Sequence, residues 1–153
     1  MPLLCALIVG VTAGLRTMLP LAVSSWCARC GILSVGHSPV AFMGYRFTPI
    51  IFTLLAISEL VYDKLPAATS RRLPPAFIAR VLSGGLAGAT VGFAGHALLG
   101  GVLMGAIGAV AGTLGGSAAR SRMTAIFGRN LPAALLEDVV AIATAVFAVL
   151  KLA

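Results

Sequence analysis

Long uncharged runs separated by short polar pieces dominate the hydropathy pattern of the chain. A membrane helix needs about 20 mostly apolar residues. Runs at about residues 2–25, 47–64, 76–97, 99–119 and 131–152 meet or approach that length. They predict an all-α, polytopic membrane protein of five transmembrane helices. The first run is interrupted by Arg16 and Pro20 and the second is closed by Pro66. Between them, Gly31, Gly36, Pro39 and Gly44 mark a loop, and Pro39 and its neighbours argue against a full span over 34–46. "AATSRRLPPA" and "RSRMTAIFGRN" read as polar links before the third and fifth helices.

Composition sharpens this picture. The chain has 153 residues, 59% hydrophobic and 10% charged, against about 25% charged in an ordinary soluble domain. So few charges cannot coat a water-facing surface, which predicts one domain, 1–153, covered by lipid. The net charge is +7. No Lys/Arg stripe with interleaved aromatics exists, which argues against a nucleic-acid partner. The basic residues instead fall between apolar runs, as the positive-inside rule produces. With the N-terminus inside, Lys64, Arg71, Arg72, Arg120, Arg122 and Arg129 are cytoplasmic, and Arg29, Arg46 and Lys151 are outside. That balance favours N-in, C-out. "MPLLCALIVGVTAG" lacks a basic leader region and continues past signal-peptide length, so it reads as a retained first helix. Cys27 and Cys30 form one C-x-x-C without a second pair or a nearby paired His, and read as incidental thiols. Neither a metal site nor a cofactor is expected.

All four acidic residues fall in two short pieces, Glu59 and Asp63 in "SELVYDKLP" and Glu137 and Asp138 in "LPAALLEDVVAI". Glu59 and Asp63 stand four apart and share a helix face. Asp63 lies near the helix end and reads as a headgroup-level anchor, while Glu59 and Glu137 lie deeper. An ionised side chain at the bilayer centre costs about 2.5–3.5 kcal/mol on insertion scales, so these carboxylates call for partners. Arg16 and Arg80, embedded in "AGLRTMLPLAV" and "FIARVLSGG", are the candidates. Pro20 denies the Arg16 carbonyl its usual partner and predicts a kink there. A broken helix beside a buried charge recurs in transporter sites. Arg16, Glu59, Asp63, Arg80, Glu137 and Asp138 therefore form the candidate solute- or ion-binding set.

Twelve of the eighteen glycines lie between Gly84 and Gly116. Gly84, Gly88 and Gly92, like Gly108, Gly112 and Gly116, recur every four residues and line one helix face, a pattern that permits close backbone approach. They predict a packing seam, within a subunit or between two copies.

"GLRTMLPLA", "ISELVYDKLP", "SRRLPPAFIARVLSGGLAGA", "GAVAGTLGG" and "LPAALLEDVVAIA" occur in that order through most of the chain. Together they resemble the DUF4126 family of small bacterial membrane proteins, with E-L-x-x-D-K-L-P and L-L-E-D as the specific part. The resemblance implies a fold, a bacterial inner-membrane location and positions to test, but no activity. "GLRTM" and "AARSRM" are faintly alike, hinting at an inverted repeat. Yet one acidic piece closes its helix while the other opens one, so the two are not equivalent.

The pattern points first to a small transporter or channel-like protein, built as a homodimer, for an ion or a small polar or anionic solute. A second reading is anionic-lipid binding or flipping by Arg71, Arg72, Arg120 and Arg122, and a third is a structural assembly partner. No H-E-x-x-H, G-x-S-x-G or Cys–His pair supports an enzyme.

Overall fold

The computed structural model describes residues 1–63, 73–127 and 130–151. The described residues form six helices and no strand: α1 Pro2–Leu15, α2 Leu19–Arg29, α3 Thr48–Tyr62, α4 Pro74–Ala94, α5 Leu98–Phe127 and α6 Asn130–Leu150. Each of α1 to α4 opens with proline in its first turn. Proline lacks only a donor that has no intrahelical partner there, and its fixed φ suits the first turn. α4 and the Leu98–Arg122 part of α5 are long and apolar enough to cross a membrane, and α1 and α3 are apolar but shorter.

Two expectations change, and a third gains detail. The first predicted helix is two: α1 ends at Leu15, Arg16 is extended at φ −139° and ψ 115°, and α2 begins at Leu19. The kink expected at this place is a full break, and the extended residue is the arginine itself. Second, "RSRMTAIF" continues α5 instead of linking two helices, since it contains no helix breaker and several good helix formers. Third, the loop between α2 and α3 is firmly packed around a short 3-10 turn, Ala41–Gly44. Its Leu33, Val35, Val40 and Met43 are buried with Leu21 and Ala28 of α2. At the α4–α5 corner His96 takes the left-handed conformation, φ 59°, and the Ala97 amide donates back to Gly92 O at 2.7 Å. That is a left-handed helix cap.

α1, α4 and α5 form the tightest unit. A Cβ built on Gly92 would lie 2.6 Å from Gly101 Cα, and one on Gly88 would lie 2.8 Å from Gly105 Cα. Gly108 and Gly112 face α1 instead, with Cβ positions 2.8 Å from Val11 N and 2.9 Å from Val11 C respectively. Gly116 is only half-buried. The α4–α5 corner sits against the start of α1, where Gly95 meets Pro2 and Gly100 meets Leu3. The end of α1 lies beside Ser83 of α4 and Thr113 of α5. The bundle centre is made of small residues, with Ala13, Ala87, Ala109, Ala141, Ala145 and Ala148 fully buried. Ile51, Leu54 and Val61 of α3 and Val139 and Phe147 of α6 are exposed.

Candidate functional site

The break between α1 and α2 frees backbone groups that the rest of the bundle satisfies one by one. The Thr17 and Met18 amides donate to Glu59 Oε1 and Oε2 at 2.7 and 2.8 Å. One carboxylate from α3 thus caps the opening turn of α2, where unpaired N–H groups carry partial positive charge. The Thr17 carbonyl accepts from Ser83 Oγ of α4. Thr113 Oγ1 donates to Ala109 O at 2.7 Å and stands 3.4 Å from Gly14 O. The Arg16 amide still reaches Thr12 O, at 2.7 Å. The hydroxyls of Ser83 and Thr113 were not among the expected site residues. Their signal was a hydroxyl inside a Gly/Ala-rich apolar run, and such hydroxyls can serve a neighbouring backbone.

Arg16 is 1% exposed. Its Nη1 donates to Asp63 Oδ2 of α3, and its Nη2 meets Asp138 Oδ1 of α6 as an ion pair outside hydrogen-bond alignment. One guanidinium therefore ties together a break, α3 and α6. Glu137, the neighbour of Asp138, turns to Arg120 of α5, with Nη1 to Oε2 at 3.6 Å. Arg80 is buried on α4, three residues before Ser83. Of the expected partners, Arg16 takes the two aspartates, while Glu59 accepts the Thr17 and Met18 amides and Glu137 approaches Arg120.

Asp63 is the clearest correction, because it is a largely buried ion-pair partner, 13% exposed, rather than a headgroup anchor. Asp63→Asn is accordingly expected to cost on the order of 2–3 kcal/mol. That is less than the roughly 3–5 kcal/mol of a fully broken buried pair, because Asp138 remains. Thermal unfolding in detergent reads the loss, and an unchanged midpoint would return Asp63 to the anchor role. Of the other candidates, Arg122 is exposed, and Lys64, Arg71, Arg72 and Arg129 lie outside the described residues. Cys27 and Cys30 are free thiols. Among the described residues no group of three His, Cys, Asp or Glu side chains could hold a metal ion.

Beside the break lies an open groove of about 460 Å³, lined by Thr17, Met18, Leu55, Ser58, Glu59, Tyr62 and Ala79. Fold and site together define a class: an all-helical protein with two helices able to span a membrane and a buried charge cluster at a helix break. The chain belongs to the DUF4126 family, whose model, described as a domain of unknown function, matches residues 3–151. No curated protein and no solved structure matches the chain.

Proposed function

We propose that this chain is a small polytopic membrane transporter or channel-like protein that moves an ion or a small polar solute. The observation that carries the reading is the α1–α2 break. Its amides are held by a carboxylate, and its arginine is clamped between carboxylates of two other helices. Non-helical backbone at membrane depth is tolerated where protein satisfies it or where it lines a polar path. A clamp that joins the break to α3 and α6 is a contact that one proton or one ion could loosen, changing how those helices sit.

Membrane embedding is supported by where the residue sizes fall. Alanines and glycines fill the bundle centre, while Ile, Leu, Val and Phe side chains of α3 and α6 face outward. Lipid replaces the hydrophobic drive between helices, so close backbone approach becomes a main source of cohesion. The close approaches of α5 to α4 and α1 support a glycine seam inside the subunit. A homodimer would then use the outward faces of α3 or α6. The Lys/Arg balance supports a cytoplasmic position for the end of the bundle that holds the start of α4 and the end of α5. The start of α1 lies at the other end, against the α4–α5 corner, which turns the N-in expectation round. Among the described residues Arg16 already serves Asp63 and Asp138 and Arg120 approaches Glu137, which gives an anionic solute at this cluster less support than a cation.

The test is ion flux. Proteoliposomes loaded with pyranine should dissipate an imposed pH gradient several-fold faster than protein-free vesicles. Glu59→Gln should abolish the difference while the protein still elutes as a folded species. Gln keeps one acceptor for the α2 amides but turns an NH2 toward the other, a cost of about 1–3 kcal/mol. Equal dissipation with and without the protein would remove the ion reading.

A further inference from the structure

Three of the four carboxylates face a guanidinium: Asp63 and Asp138 meet Arg16, and Glu137 meets Arg120. Glu59 differs, because among the described residues it forms no ion pair. Among the described residues its two oxygens accept the amides of Thr17 and Met18. A helix N-terminus presents roughly half a unit of positive charge, so the amides leave part of the carboxylate's charge unanswered. Among the described residues that carboxylate is the only charged group lining the 460 Å³ groove.

The other walls decide what can enter. Met18, Leu55 and Ala79 are apolar, and Tyr62 offers an aromatic ring. The Ser58 hydroxyl is committed to Leu55 O at 2.8 Å. An inorganic cation would have to give up much of its hydration shell for walls that, beside the carboxylate, are mostly apolar. An anion would meet a carboxylate and, among the described residues, no cationic side chain. A bulky organic cation satisfies both conditions, since its charge is diffuse and weakly hydrated and its body is apolar. Aromatic faces add attraction for such cations, and the volume falls within the range of small-molecule sites, about 300–1,000 Å³.

We propose that this groove binds an amphipathic organic cation, an ammonium- or phosphonium-type charge on an apolar body, with Glu59 as its counter-ion. The proposal rests on the transport reading and names the substrate class for it. Glu59 would hold the charge next to the helix break, so an occupant would touch the element that ties α2 to α3.

The probe is radiolabelled tetraphenylphosphonium, measured against the purified full-length protein by equilibrium dialysis. Tetraphenylborate, of the same shape and opposite charge, is the control. Saturable phosphonium binding without saturable borate binding is the expected result. Ala79→Phe, which fills the groove without touching the amide–carboxylate contacts, should weaken binding about tenfold or more. Glu59→Gln should do the same, and Leu99→Phe, on an exposed position of α5, should leave it unchanged. Absent saturable binding, equal binding of the borate, or undiminished binding in folded Ala79→Phe would overturn the proposal. Binding without tetraphenylphosphonium uptake into proteoliposomes would keep the groove and remove transport, whereas proton flux without phosphonium binding would remove the groove alone.

Discussion

Arg16→Met should leave little folded protein, and the combined variant Arg16→Met, Asp63→Leu, Asp138→Leu should recover most of it. Arg16 is 1% exposed, and the side chains it pairs with are 13% and 10% exposed. Removing the arginine takes a guanidinium away from two largely buried carboxylates and leaves their charge less well compensated. Breaking a buried pair by removing one partner costs about 3–5 kcal/mol, a large share of a typical total stability of about 5–15 kcal/mol. Replacing a whole buried ion set with apolar residues of similar volume is often neutral or stabilising, because the desolvation cost disappears with the charges. Recovery of the folded, monodisperse species in detergent is the readout. An Arg16→Met protein as stable as the wild type would show that the clamp contributes nothing to the fold. The combined variant also separates structure from function. Under the transport reading it folds and is inactive in the pyranine assay. If it folds and still carries flux, the cluster is scaffolding.

Much of this architecture is legible in the chain, and the limits are physical. The ranges expected for the second, third and fifth helices match α3, α4 and α6 to within three residues at each end, because long apolar runs bounded by proline or charge leave few alternatives. The break at Arg16 was visible as a lone charge with Pro20 four residues on. The pairing of charges was not. Glu59 and Asp63 lie on one face, one turn apart, and either could have reached Arg16. Which one does depends on how far α3 slides along α2, and no local pattern records that. Glu137 and Asp138 are adjacent, so they point about 100° apart around their helix. One turns to Arg120 and the other to Arg16, and the helix rotation that decides between them is set by packing. The 30–47 loop was opaque for a related reason. Leu33, Val35, Val40 and Met43 are single apolar residues among breakers, without a period, and only the finished bundle gives them a place to be buried.

The glycine pattern was legible in outline but mis-centred, and the second large effect follows from where its centre lies. At 100° per residue, Gly101, Gly105, Gly108 and Gly112 fall on one stripe about 60° wide, which α5 presents to α4 and α1 together. The four-residue groups read from the sequence left out Gly101 and Gly105, yet Gly105 is where the three helices come closest. A Cβ on Gly105 would lie 2.9 Å from Gly84 C and 3.0 Å from Gly88 Cα, and one on Gly10 of α1 would lie 2.8 Å from Gly105 Cα. These are backbone atoms, so no rotamer change can make room; α5 must move away from α4. Gly105→Ala should therefore destabilise by at least the 1–3 kcal/mol typical of overpacking, and by more because a helix pair must separate. Gly115→Ala, on the same helix with nothing within 4 Å of the added methyl, should be neutral or stabilise by up to about 1 kcal/mol through helix propensity. Thermal unfolding of both variants in one detergent makes the comparison. Equal midpoints for Gly105→Ala and Gly115→Ala would mean that the close approach at Gly105 does not hold the bundle together. A fall for Gly105→Ala alone would place the cohesion of α1, α4 and α5 in backbone contact.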